Sequence, residues 1–325
     1  MTVETHKPAA KTTGVVQPLP GIGDMIWFLP ALKALAAAAP DGKITLFTKS
    51  SSQAQKVLGA EPMIEKVVYL PLKKRGALTL LSNFFGTWSA LFHARPDRLI
   101  IMHRSFRYRL AAWLAGIREV IIYPRDVARL SDNGWSKSLR FLKEIGVPVA
   151  QPNSSLAVHP AAIAAVKQQF DRYPQPWVIV AVGATEPSRL WPAERFAFCA
   201  DALVEKTSGT VFLIGGSHEA ERIEAVRSLC KKSDRVIPVV GIPFDHVMGL
   251  MSCSLCLFGN DSGPSNVSAA LGCPTFSLAG ASDSPRHSPH LYFIKPPLSV
   301  QGEGMERISA EYALGIVWST LGLTA

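Results

Sequence analysis

Long apolar runs, cysteine and clustered acids are all in short supply in this chain of 325 residues, and each shortage excludes something. No uninterrupted apolar stretch reaches the ~18 residues needed to span a bilayer. The opening "MTVETHKPAAKT" lacks the apolar segment of a secretory leader. The reading is a soluble or peripheral protein. Five cysteines, an odd number scattered over a long chain, do not make a disulfide framework. Cys253 and Cys256 form one C-x-x-C, but there is no second pair to complete a zinc site, and the apolar run around them offers no helix start to stabilise a thiolate. They read as core residues in a reducing compartment. Asp-x-Asp occurs nowhere, so the usual carboxylate clamp for a divalent metal is missing and no metal site is expected. Acids are outnumbered 25 to 34 by Lys and Arg, a formal net charge of +9. That balance suits an anionic partner, although a generally basic solvated surface gives the same count. No recognised nucleic-acid reader motif accompanies it.

What is present is a composition of 48% hydrophobic and 18% charged residues, which is that of a globular protein long enough for two domains. Strand-like runs alternate with helix-like stretches, the pattern of βαβ units and parallel sheets. "GVVQ", "KITLFT", "KVVYL", "RLIIMH" and "EVIIYP" read as strands of one sheet, with "PALKALAAAA" and "RYRLAAWLAG" as helices between them. "WVIVAVGA", "TVFLIGG", "RVIPVVG", "SLCLFGND" and "TFSLAG" read as a second sheet, with helices at "ERFAFCADALVEKT" and "EAERIEAVRSLCKK". A proline-rich connection places the boundary near residue 157, and "RISAEYALGIVWSTLGL" reads as a closing helix. The expected organisation is an α/β fold of two Rossmann-like domains, residues 1–157 and 158–306, with a C-terminal helix over 307–325.

Ligands of open parallel sheets bind beyond the carboxyl ends of strands, at helix N-termini. Four such junctions carry residues too polar or too small for mere connection. In "GIGDMIWFLPAL", Gly21 and Gly23 permit close backbone approach and Asp24 opens a helix, as a cap or as something more. Pro30 reads as a kink or as the first turn of that helix. In "GATEPSRLWPAERF", Thr185 and Ser188 offer hydroxyls and Arg189 a permanent cation, a set that suits phosphate. In "LIGGSHEAERI", Glu219 either favours the helix dipole or accepts from ribose hydroxyls. In "GNDSGPSNVSAALGCPT", Pro264 fixes a first turn whose amides around Ser262, Gly263 and Ser265 are free for an anion. Asp261 beside them repels phosphate, so amides, hydroxyls or a sugar are its expected partners.

These four stretches, in this order and spacing, resemble the ADP-heptose:lipopolysaccharide heptosyltransferase family, glycosyltransferase family 9, over about residues 14–290. The resemblance implies the GT-B fold, two Rossmann-like domains facing across a cleft, with acceptor in the N-terminal domain and nucleotide-sugar in the C-terminal one. It implies an inverting transfer in which ADP-heptose is a substrate and no cofactor is needed. Position by position, Asp24 matches the family's catalytic base, Thr185 a phosphate-contacting hydroxyl and Arg189 a position usually held by lysine. Glu219 matches the ribose-binding acid, Ile242 the apolar cover of the base, and Asp261, Ser262 and Gly263 the loop at the diphosphate. Asn266 departs from the pattern, for the family often has histidine there; asparagine keeps a donor but is never cationic. Pro18 and Pro20 also depart, and must end the first strand early.

Asp24, with an ordinary carboxyl near pKa 3.9 held low by a helix start, is expected to be a weak base. Lys73, Arg104 and Arg107 are candidates to hold an acidic acceptor such as a phosphorylated lipopolysaccharide core, or are simply a solvated basic face. "LTLLSNFFGTWSALF" fits a helix covering the sheet and also a helix resting on a membrane interface. Other classes fit less well. "GIGDMI" fails the third glycine of a dinucleotide fingerprint, and "NDSGPS" lacks the G-x-S-x-G elbow of serine hydrolases. A non-catalytic relative that binds nucleotide or glycan without turnover stays open.

Overall fold

The computed structural model describes residues 12–71, 77–124, 133–280, 284–301 and 304–323. Contacts divide the chain into two compact units, Met1–Pro152 and Asn153–Ala325. The division falls before residue 157 because the Ser154 N–H donates to the His287 carbonyl and the Leu156 N–H to that of Ala270, tying these residues to the second unit.

In the first unit β1 (Thr13–Val16), β2 (Ile44–Lys49), β3 (Ile64–Leu70), β4 (Arg98–Ile101) and β5 (Glu119–Ile122) form one parallel sheet in the order β3-β2-β1-β4-β5. The helices are α1 (Ile22–Ala37), α2 (Ala54–Val57), α3 (Ala77–Ala94), α4 (Phe106–Leu114) and α5 (Gly134–Glu144). β1 is buried along its whole length, as a central strand of a parallel sheet must be. Val16, Phe47, Leu99 and Ile101 meet Tyr108, Ala111 and Ala112 of α4 in the core. α1 begins eight residues before Pro30 and runs straight through it, so the proline neither starts nor stops the helix. Burial of Met25, Ile26, Leu29 and Leu32 along α1 outweighs the backbone hydrogen bond that a proline removes. Gly23 accordingly lies in the first turn of α1 and only Gly21 precedes it, so the two do not form a glycine loop.

The second unit holds β6 (Trp177–Ala181), β7 (Thr210–Gly215), β8 (Val236–Val240), β9 (Cys256–Asn260), β10 (Thr275–Leu278) and β11 (Leu291–Ile294), parallel in the order β11-β10-β9-β6-β7-β8. Its helices are α6 (Pro160–Phe170), α7 (Ala193–Thr207), α8 (Ala220–Leu229), α9 (Phe244–Ser252), α10 (Gly263–Ala270) and α11 (Ala310–Leu321). The edge strand β11 and the helix α9 have no counterpart in the sequence reading. Cys256 is a fully buried residue of β9. The closing helix α11 packs on α7, and just before it the Ile308 carbonyl accepts from Trp191 Nε1 and Arg195 Nη1. Both units thus have the doubly wound order, in which the chain reverses direction at the sheet centre: between β1 and β4, and between β6 and β9.

Candidate functional site

At the reversal point of the second sheet, Asn260 ends β9 with its side chain fully buried. Its Oδ1 accepts from the Trp191 N–H at 3.2 Å and its Nδ2 donates to the Val182 carbonyl at 2.8 Å. Its own carbonyl accepts from the Ser265 hydroxyl at 2.8 Å. Arg222 of α8 reaches the same two points, Nε donating to the Val182 carbonyl at 2.8 Å and Nη2 to that of Trp191. The loop after β6 is therefore pinned at Val182 and at Trp191, and the stretch between them stands out with Thr185 and Ser188 exposed. Arg189 sits in the single turn Pro187–Arg189, its Nη1 3.6 Å from Asp261 Oδ2 and its Nε 3.4 Å from Glu186 Oε2. Asp261 is almost wholly buried and also accepts from the Ser284 hydroxyl. The hydroxyl partner matches the expectation for this acid; the cation is an addition, and it brings the second and fourth junctions together.

Ser262 is the N-cap of α10, with no side chain capping the turn. The N–H groups of Ser262, Gly263 and Ser265 have no protein acceptor among the described residues. Asn266 is not free to follow them toward a ligand. Its Nδ2 donates to the Ser262 carbonyl at 2.8 Å, and its Oδ1 accepts from His287 Nε2 at 2.8 Å. Asn266 is thus almost wholly buried and engaged with protein through both its oxygen and its nitrogen, unlike the ligand-facing group of the sequence reading. His287 is fully buried, and burial pushes its pKa down to about 4, so it is neutral and Nε2 carries the proton. The imidazole that meets Asn266 is thus buried and carries no charge.

Glu219 ends the one-turn helix Ser217–Glu219, where its Oε2 accepts from the Gly216 N–H at 2.8 Å. Its carboxylate covers Gly183, where any Cβ would collide with it, so the exits of β6 and β7 meet at this side chain. Ile242 is half-buried in the turn after β8. Its neighbour Gly241 donates to the Gly215 carbonyl at 3.4 Å, which draws that turn toward the exit of β7.

At the reversal point of the first sheet, Gly21 caps α1 and its N–H donates to Asp24 Oδ2 at 3.0 Å. Desolvation raises the Asp24 pKa, and the Gly21 bond only partly opposes it. Burial overrides the helix start here, which corrects the expectation of a carboxyl held low. After β4 come His103 and Arg104, then Arg107 in the first turn of α4. His103 Nδ1 accepts from the Ser105 N–H at 3.0 Å, leaving the proton on Nε2. Arg107 lies over the Tyr108 ring at 4.8 Å and donates to its hydroxyl at 2.9 Å. Lys49, the last residue of β2, completes the cluster. The His103 pKa is lowered by burial first and then by Arg107, Lys49 and Arg104, and that of Lys49 by burial and Arg107. Several cations thus press on one another with Arg104 exposed at the rim. Lys73, and Arg125 and Arg129 beyond it, lie outside the described residues.

Sequence reasoning missed Asn260, Arg222, Ser284, His287, Lys49 and His103. Lys49 and Asn260 carried a usable signal, since each is a polar residue closing an apolar strand. His287 and Arg222 carried none, for their partners are 21 and 40 residues away.

Residues 135–295 match the family described as glycosyltransferase family 9 (heptosyltransferase). Lipopolysaccharide heptosyltransferase 3 of Escherichia coli is 22% identical over 282 residues, covering 80% of this chain and 81% of that protein. Among solved structures, a family 9 glycosyltransferase from Veillonella parvula superposes with a TM-score of 0.81 at 21% identity, covering 97% of this chain and 98% of that one. The E. coli ADP-heptose lipopolysaccharide heptosyltransferase II gives 0.76 at 19% identity, covering 95% and 98%. These likenesses carry the fold, which is that of GT-B glycosyltransferases.

Two outcomes follow from the buried network. Asn260→Ala strands the Trp191 N–H, because Val182 keeps Arg222, and is expected to lower stability by about 1–3 kcal/mol, measured by urea unfolding. His287 has a folded pKa of about 4 against an ordinary 6.5, so the unfolded state takes up the proton first. Its contribution is complete above pH 6.5 and is lost as the pH falls toward 4, by about 3 kcal/mol. Urea midpoints across that range are expected to fall less steeply for His287→Gln than for the parent chain.

Proposed function

Starting from a chain that belongs to glycosyltransferase family 9, we propose that it moves a heptose from ADP-heptose to an anionic lipopolysaccharide-core or related glycan acceptor, inverting the anomeric carbon without a metal ion. The observation that carries the reading is the second reversal point, where an uncapped helix start and Arg189 lie on adjoining loops at the carboxyl ends of β9 and β6. Those are the groups a nucleotide diphosphate calls for.

In glycosyl transfer the bond from the anomeric carbon to the diphosphate lengthens. Negative charge grows on the departing oxygen while the sugar becomes oxocarbenium-like. Donors aimed at that oxygen act mainly in the transition state, where they lower the barrier rather than merely tighten binding. Arg189 and the amides of Ser262, Gly263 and Ser265 are the candidates, with Thr185 and Ser188 on the exposed loop adding hydroxyls. Asp261 is kept for a neutral partner such as a sugar hydroxyl, its charge balanced by Arg189 and Ser284. Glu219 Oε1, which lies 3.9 Å from the exposed His218 Nε2, is offered to ribose and the half-buried Ile242 to the base.

Asp24 takes the proton of the attacking acceptor hydroxyl. A carboxyl raised by burial is a better base than an exposed one, because its conjugate acid lies nearer the working pH. Lys49, Arg104 and Arg107, with the His103 ring between them, suit the acidic groups of an inner-core glycan. Burial is the main reason the His103 pKa is low, and a bound anion would offset the smaller part that comes from Arg107, Lys49 and Arg104.

Release of ADP from ADP-heptose in the presence of lipopolysaccharide-core acceptor tests the reading. Asp24→Asn is expected to abolish release while ADP affinity stays within about twofold, since the role proposed for it is toward the acceptor hydroxyl alone. In the parent chain kcat is expected to fall on acidification at a pH above the ordinary aspartate value, because the base must be ionised and its pKa is raised. Full turnover by Asp24→Asn removes Asp24 from the mechanism.

A further inference from the structure

Two adjacent helices of the first unit turn apolar side chains outward. The 18 residues of α3, "ALTLLSNFFGTWSALFHA", contain no Asp, Glu, Lys or Arg. One face has a structural account, with Phe84, Trp88 and Leu91 packed on the core beneath. The other does not. Leu81, Phe85 and Phe92 recur at helical spacing and are 56%, 58% and 43% exposed, with Leu80 beside them at 63%. α3 packs against α4, and α4 continues the same character: Phe106 and Trp113, seven residues apart, are 67% and 71% exposed, next to Leu114. A surface helix ordinarily turns charged and polar side chains outward, and exposed apolar patches of this kind mark interaction surfaces.

Charge narrows the partner. From residue 72 to residue 118 the sequence has nine Lys and Arg and a single acid, Asp97, so this stretch accounts for nearly all of the net +9. Asp97 is itself engaged, accepting from the Thr12 N–H at 2.8 Å. Arg95, Arg104, Arg109 and Arg118 are exposed on and around the two helices, and Arg95 lies over the Phe92 ring at 5.8 Å. A second copy of the chain docked on this face would set like charge against like. An anionic bilayer meets both properties at once: leucines and aromatic rings enter the boundary between headgroups and acyl chains, and guanidinium groups stay among the phosphates. No helix among the described residues is long and apolar enough to cross the membrane, so the contact is one of lying on it.

We propose that the outward face of α3 and α4 docks on an anionic lipid surface through Leu81, Phe85, Phe92, Phe106 and Trp113, with Arg95 and Arg109 anchoring its margin. The inference does not rest on sugar transfer, and its test uses no donor or acceptor. Full-length protein is sedimented with vesicles of phosphatidylcholine alone or with added phosphatidylglycerol, at low and high salt. Binding is expected to be at least tenfold stronger to the anionic vesicles and to weaken with salt. The triple substitution Leu81→Ser, Phe85→Ser, Trp113→Ser is expected to lower that binding at least tenfold without moving the thermal unfolding midpoint, since all three side chains are exposed. Trp113→Ser alone, expected to lower binding severalfold, serves if the triple variant fails to fold. The proposal is overturned if the parent does not bind anionic vesicles or if the variants bind as well as the parent. It is equally overturned if the parent is a dimer in solution that the substitutions convert to a monomer.

Discussion

The side-chain amide of Asn260 holds together the end of the second unit where the strand order reverses. A fully buried carboxamide is costly unless each of its groups is paired. Here one end takes the Trp191 N–H and the other gives to the Val182 carbonyl, so a residue on β9 fixes both ends of the loop leaving β6. Arg222 makes a second clamp on the same two residues. With its ends fixed, the loop has little choice but to project Thr185, Ser188 and Arg189 beyond the sheet. Asn260 also sets the start of α10, since its carbonyl receives the Ser265 hydroxyl. One side chain thus relates the cationic loop to the uncapped helix start.

The two units share an architecture and differ in what they place at the equivalent point. Both sheets reverse at the centre, and in both the polar residues gather where the strands of the reversal end. In the second unit these are backbone N–H groups, a guanidinium and a buried acid balanced by a hydroxyl and that guanidinium, an arrangement suited to an anion with a sugar attached. In the first they are a carboxyl raised by burial and a basic cluster in which burial first, and neighbouring cations second, lower the proton affinity of His103 and Lys49. Under the proposed reading, the first unit supplies the base and the acceptor's anion seat, and the second the donors to the leaving group.

The sequence was most informative where local chemistry decides the outcome. Ten of the strands are apolar runs bounded by Gly, Pro or polar residues, and the turn at Asp261–Gly263 is announced by an apolar strand, a carboxylate, a glycine and Pro264. It was least informative where tertiary contact decides. β11 is only four residues long and its place at the sheet edge is set by pairing with β10. α1 passes through Pro30 because packing of its apolar side chains outweighs a local rule. The pKa of Asp24 depends on what covers it, which helix-start logic cannot see. Asn266 looks in the sequence like a residue offered to a ligand, and only the fold reveals that His287 and the Ser262 carbonyl occupy it.

The central claim is that the loop after β6 and the start of α10 together seat a nucleotide diphosphate, with Arg189 as the cation. Titration calorimetry of ADP and of adenosine, on the parent chain and on Arg189→Gln, tests it most directly. The substitution is expected to weaken ADP at least tenfold and to leave adenosine unchanged. Equal ADP affinities for the two proteins, or an equal loss for ADP and adenosine, would contradict it.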